Sequence, residues 1–286
     1  MTVATPKPRV RRSRGPLPGF GLALGFTLLY LSLVILLPLA TVFAKSATLS
    51  GSAFWHTISS PRTRAAFELS LWTAGAAALI NGFFGLLVAW VLERYEFPGR
   101  RLVDSIVDLP FALPTAVAGI ALATVYSAKG WLGSHLVPLG IEVAYTPLGI
   151  VTALTFVGLP FVVRTVQPVL RALDPALEEA AASLGANRWQ AVRQVLLPEL
   201  VPAAASGFVL AFARALGEYG SVIFIAGNMP MRSEITPLLV MIKLEQYDYA
   251  GATAIAAVFL SISFLLLLTI NLLTWRRGKR LRAEIA

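Results

Sequence analysis

Apolar residues in this chain come in long blocks separated by short polar stretches. Residues 16–44, 69–92, 109–128, 143–163 and 249–275 carry no charged side chain. Each block can cross a hydrocarbon core of roughly 30 Å, which takes about 20 helical residues. A sixth block, 202–225, carries two charges, Arg214 and Glu218. In lipid a backbone must satisfy its own hydrogen bonds, and a helix does so within one segment. The pattern therefore predicts an all-α, polytopic membrane protein with six transmembrane helices. The first block has the basic start of a signal peptide. Its apolar run is too long for one, and no small-residue cleavage site follows, so it is read as a retained helix.

Prolines punctuate the blocks. Pro110 and Pro114 sit four apart at the start of the third, within Asp108-Leu109-Pro110-Phe111-Ala112-Leu113-Pro114. Proline frees backbone carbonyls and kinks helices. Two readings stay open: a simple initial kink, or a segment lining a pathway. The fourth block is expected to end between Pro160 and Pro168. Residues 235–246 are apolar but too short to span, so they lie on the membrane face or dip into it.

Between the fourth and fifth spans runs a polar insert at about 171–201, containing EAAASLGANRWQAVRQVLLPEL. Asp174-Pro175 reads as a helix N-cap followed by proline at the first helical position. Glu178 and Glu179 fall in the first turn, favourable against the helix dipole. Gly185 breaks that helix, and Asn187 caps a second one over 188–196, which Pro198 is expected to end. A helix–glycine–helix element standing in water is a docking knob for a soluble partner.

Composition agrees with the membrane class: 57% of the residues are hydrophobic and 14% charged, against about 25% charged in a soluble domain. The net charge of +9 invites a nucleic-acid reading, but the positions of the charges argue against it. Basic residues crowd a leading tail at 1–15, a trailing tail at 276–286, the 93–104 loop and the polar insert, all on one side of the predicted membrane. Lys45, Arg62, Arg64, Lys129, Arg232 and Lys243 fall on the other. Basic loops stay in the cytoplasm, so both termini and the insert are expected there, flanking a permease domain at 16–275. The chain has no cysteine and only His56 and His135, far apart in sequence, so no metal site is expected. No GxxxxGK[ST] phosphate loop occurs, nor any arrangement of paired acids or of Ser, His and Asp, so neither an ATP site nor an enzyme active site is expected.

Within the spans, Arg164 and Arg214 are buried charges of the kind that face a partner or a watery cavity. Arg214 falls near the middle of the fifth span, and Glu218 is four residues on. The two either pair with each other or offer Arg214 to an anion in transit. Gly217 and Gly220 beside them allow close helix packing.

The polar insert resembles the EAA signature of ABC-importer permeases: Glu-Ala-Ala, three residues, glycine, nine residues, isoleucine, one residue, Leu-Pro. Glu179, Ala180, Ala181, Gly185, Leu197 and Pro198 match in register, while Val195 replaces the isoleucine. The resemblance implies a type I ABC-importer permease fold, with these residues coupling to an ATPase. DLPFALPTAVAGIAL (108–122), PFVVRTVQPVL (160–170) and ALGEYGSVIFIAGN (215–228) look like the T-subunit branch of the sulfate/thiosulfate permeases. That likeness implies an inner-membrane importer subunit with a sister permease, two ATP-binding subunits, a periplasmic sulfate-binding protein and membrane lipid as partners. ATP and Mg would be used by the ATPase, with no cofactor on this chain. On the reading of the residues themselves, apart from the resemblance, Pro110, Pro114, Arg164, Arg214 and Glu218 are candidate pathway residues. Molybdate or tungstate permeases of the same superfamily are the alternative. A gradient-driven secondary anion transporter is the rival class, disfavoured by few intramembrane carboxylates and no visible inverted repeat.

Overall fold

The computed structural model describes residues 19–285, with side chains through Thr274. The basic tail at 1–15 lies outside the described residues, as do the side chains of 276–286. Every regular element among the described residues is helical. Five helices are long and apolar enough to span a membrane: α1 (Phe20–Ser46), α3 (Pro61–Arg94), α7 (Pro147–Ala172), α9 (Arg188–Leu216) and α12 (Tyr249–Ile285). Shorter helices connect them: α2 (Gly51–Ser59), α4 (Arg100–Val107), α5 (Leu109–Ala112), α6 (Thr115–Tyr126), α8 (Ala176–Ser183), α10 (Val222–Ile225) and α11 (Thr236–Glu245).

The all-α, multi-span architecture agrees with the sequence expectation, and four details of the spans differ from it. The third span is broken: Leu113 and Pro114 are extended between α5 and α6, because the residue before a proline is pushed out of the helical region. The fourth runs through Pro160 and Pro168 to Ala172, as membrane-spanning helices tolerate proline. The fifth stops at Leu216, and Gly217–Gly220 carry the chain into α10. Arg214 therefore lies in the last turn of α9, not mid-span. Finally, Pro198 does not end the helix that starts at Arg188. A wide π turn at Val192–Leu196 precedes it and α9 continues, so the second half of the insert is the first part of a span.

The core is the packing of α3, α7 and α9 on one another. Small residues make it close. On α3, Ala74, Ala78, Asn81, Gly85 and Ala89 are buried at helical spacing. A Cβ on Gly85 would lie 2.7 Å from Val162 Cβ on α7, and one on Gly207 of α9 would lie 2.8 Å from Val162 Cα. Without a hydrophobic drive between helices in lipid, such close approach supplies the dispersion contact that holds them. α12 packs across α11, α9 and α1, with Phe67 of α3 stacked on Phe259 at 5.6 Å. α1 is exposed along its length apart from this contact. α11 buries Thr236, Leu238 and Leu239, so the short apolar stretch dips into the bundle.

At the end of the bundle opposite the polar insert, Arg62 grips Glu234 through two hydrogen bonds, Nε–Oε2 2.7 Å and Nη2–Oε1 2.6 Å. Glu234 is 1% exposed. This pair fastens the start of α3 to the loop before α11.

Candidate functional site

The polar insert folds as two helices around a left-handed glycine. Asp174 Oδ1 accepts from the Ala176 backbone N–H at 2.9 Å, capping α8. Gly185 has φ +84°, a conformation that a Cβ disfavours. The Ala186 N–H donates to the Ala181 carbonyl and the Gly185 N–H to that of Ala182, the two bonds of a Schellman end. Asn187 then opens α9 with a reciprocal capping box: its Oδ1 accepts from Gln190 N–H and its own N–H donates to Gln190 Oε1. The fold here follows the spacing of Asp, Gly and Asn in the sequence. Glu179 and Ala180 are exposed, Ala181 is buried, and Leu197 and Pro198 are exposed in α9. At the turn, Leu184 and Trp189 present 89% and 70% of their surface. Large apolar side chains exposed together mark a contact surface.

A collar of ion pairs fixes this element to the spans. Glu178 meets Arg94 at the end of α3 at 2.7 Å, and Arg94 lies 5.5 Å over the ring of Trp90. Arg171 at the end of α7 binds Glu93 of α3 at 2.8 and 2.6 Å. Arg100 approaches Glu93 at 3.6 Å. Thus α8 is tied to α3, and α3 to α7, by charges that fall in four separate stretches of sequence.

Arg164 is the most heavily bonded side chain on this half of the molecule. It donates to Asp108 at 2.8 and 2.6 Å, to Asp104 Oδ1 at 2.6 Å and to the Asp104 carbonyl at 2.9 Å. A fifth bond reaches Gln167 Oε1 at 2.6 Å. It locks α7 to α4 and to the start of the broken third span. Next to it Phe111, between Pro110 and Pro114, meets Phe161 of α7 edge-to-face at 5.2 Å.

Arg214 and Glu218 form an ion pair, which realises the reading in which the two satisfy each other. Glu218 is 2% exposed, and its Oε1 also accepts from the Ser221 N–H and Oγ–H at 2.9 and 3.0 Å. It thereby shapes the turn that leads α9 into α10. Of the two glycines, Gly220 is the close-packed one: a Cβ there would overlap Thr115 Oγ1, at the first residue after Pro114, whereas Gly217 faces open space. The Pro114 break and the Gly220 turn are therefore one junction. On the far side of it a cavity of about 630 Å³ opens among Tyr126, Glu142, Tyr145, Met229 and Arg232.

Asp104, Asp108, Gln167, Glu93, Arg94 and Glu178 were not among the sequence candidates. The i,i+4 pair of aspartates and the Arg164/Gln167 pair carried a faint signal, since each presents two polar groups on one helical face.

Three comparisons bear on this arrangement. The family described as binding-protein-dependent transport system inner membrane component matches residues 81–279. The sulfate transport system permease protein CysT of Escherichia coli (strain K12) is 51% identical over 268 residues, 94% of this chain and 97% of that one. The protein of the same name from Synechocystis sp. is 51% identical over 252 residues, 88% of each chain. A bacterial ABC transporter involved in the import of the acidic polysaccharide alginate contains a chain of the same fold, with TM-score 0.74 at 19% identity over 90% of this chain and 94% of that one.

Proposed function

The chain belongs to the family of binding-protein-dependent transport system inner membrane components, and from that premise we propose that it is the membrane-spanning permease subunit of an ATP-driven sulfate importer. The observation that carries the substrate is the 51% identity to a sulfate permease over nearly the full length of both chains. The proposed assembly pairs this chain with a sister permease, two ATP-binding subunits and a periplasmic sulfate-binding protein. ATP and Mg are used by the ATP-binding subunits. Both termini and the α8–α9 turn face the cytoplasm, as the basic loops favour.

In the proposed mechanism Leu184 and the exposed face of α8 around Glu179 and Ala180 seat on an ATP-binding subunit. Closure of the ATP-binding pair displaces α8. The displacement reaches the spans because α8 is stiff and bound: Arg94–Glu178 carries it to α3, α9 is continuous into the core, and Glu93–Arg171 carries it to α7. A coupling element needs such a discrete, rigid connection. Pro110, Pro114, Arg164, Arg214 and Glu218 frame the pathway. Each arginine already meets a carboxylate, so they hold the helices around the path and leave the dianion loosely held. Weak binding suits an ion that must also leave.

The test is radiolabelled sulfate uptake in a strain lacking this gene, complemented with wild type or with Glu179→Lys. Restoration by wild type alone, dependent on ATP, is expected. Restoration for molybdate but not sulfate overturns the substrate; full activity of Glu179→Lys overturns the coupling role.

A further inference from the structure

Beside the α8–α9 turn lies a groove of about 1000 Å³ between the last turns of α3 and the first turns of α9. Its two ends differ in chemistry. The deep end is apolar: Phe83, Leu87 and Leu197 line it, all exposed. The shallow end carries Arg188 and Arg193 with Trp189 between them. From Phe83 to Arg94 α3 rises about 16 Å, half of a hydrocarbon core of about 30 Å. The groove therefore runs from about the bilayer midplane to the headgroup level of one leaflet, where tryptophan is at home.

The charges are unbalanced. The groove's carboxylate, Glu178, is held by Arg94. Among the described residues neither Arg188 nor Arg193 meets a carboxylate. The occupant must be apolar along one half and anionic at the other. The chain's own leading segment does not qualify, because Lys7, Arg9, Arg11, Arg12 and Arg14 give it the same sign. A basic pocket between spans at headgroup depth is suited to an acidic lipid.

We propose that this groove binds one anionic glycerophospholipid, with its acyl chains along Phe83, Leu87 and Leu197 and its phosphate at Arg188 and Arg193. Ala182 and Ala186 of the α8–α9 turn form part of the same wall. The lipid thereby braces the turn against α3, adding to the Arg94–Glu178 pair. The site depends on the chain spanning a bilayer and not on which ion it carries.

The chain has no native cysteine, so Leu87→Cys carries a single fluorophore in the groove. The assembled transporter is placed in phosphatidylcholine vesicles containing either brominated phosphatidylglycerol or brominated phosphatidylcholine, and quenching is read. Preferential quenching by phosphatidylglycerol is expected, falling on the order of tenfold in Arg188→Gln/Arg193→Gln and persisting in Arg188→Lys/Arg193→Lys. Raising the salt should narrow the preference in the otherwise native chain, which needs no arginine variant. Equal quenching by the two lipids reduces the groove to ordinary lipid-facing surface and overturns the proposal. No quenching by either means a protein segment fills it, and overturns it too. Sulfate uptake is not part of the readout, so failure here leaves the transport reading standing.

Discussion

Single residues in this molecule matter most where charge is buried at a helix end. Glu234 is almost fully enclosed and Arg62 is its only ion-pair partner among the described residues. Removing one partner of a fully buried pair costs roughly 3–5 kcal/mol, because the other charge is left without compensation; Arg62 is 39% exposed, so its loss costs less than that. Arg62→Ala is therefore expected to lower the thermal midpoint of the detergent-solubilised protein. Arg62→Leu/Glu234→Leu should recover most of the loss, since it leaves no orphan charge. If the single variant melts like wild type, the pair is not the fastener described. Asn81 is a different case. It is buried among α3, α7 and α9 next to Gly158, and neither of its amide atoms finds a partner.

At the scale of elements, two turns set the geometry of the coupling and outer faces. Gly185 stands in open space, so a substitution there meets no clash and acts through φ alone. Gly185→Ala is expected to strain the turn by about 1–2 kcal/mol, re-aim α8 relative to α9 and reduce ATP-driven uptake several-fold. Membrane insertion and thermal stability should change little, since the turn lies outside the packed core; a loss of folded protein equal to the loss of uptake would contradict this. At the other end Asp248 opens α12. It accepts from Lys243 Nζ at 2.9 Å and from the Gly251 N–H at 2.9 Å. The lysine, and then the backbone N–H, hold its carboxyl below the ordinary 3.8. A depressed folded value means the charged form stabilises the fold. The contribution is present above the unfolded value of about 3.9 and is lost as pH falls through the folded one. The stability gap between wild type and Asp248→Asn is therefore expected to be full near neutral pH and to close in acid below that value. A gap independent of pH would assign the effect to packing instead.

For the whole molecule, the ion pairs place the α8–α9 turn at one end of the bundle with Arg94, Arg100 and Arg171. Arg62, Glu234 and Asp248 stand at the other. Ser52 and Ser183 are exposed at opposite ends. In intact cells a membrane-impermeant maleimide is expected to label Ser52→Cys at once and Ser183→Cys only after permeabilisation. The reverse pattern would invert the orientation drawn from the basic loops.

Much of this was legible in the sequence because it depends on local order. Apolar blocks pointed to the five span-length helices, since a backbone in lipid has few other options. The positions of Asp174, Gly185 and Asn187 fixed the helix–turn–helix, because caps and left-handed turns act within a few residues. What tertiary structure alone decided depends on partners distant in the chain. Pro160, Pro168 and Pro198 all read as stops, yet α7 and α9 run through them. Arg164 read only as a charge in need of a partner or a watery cavity, and the fold supplies Asp104 and Asp108 from another segment of the chain. The pairs Arg62–Glu234, Glu93–Arg171 and Arg94–Glu178 left no mark on the linear pattern. A charge in a membrane is satisfied by whatever packing brings within reach, and packing depends on how close small residues such as Gly85, Gly207 and Gly220 let the helices come.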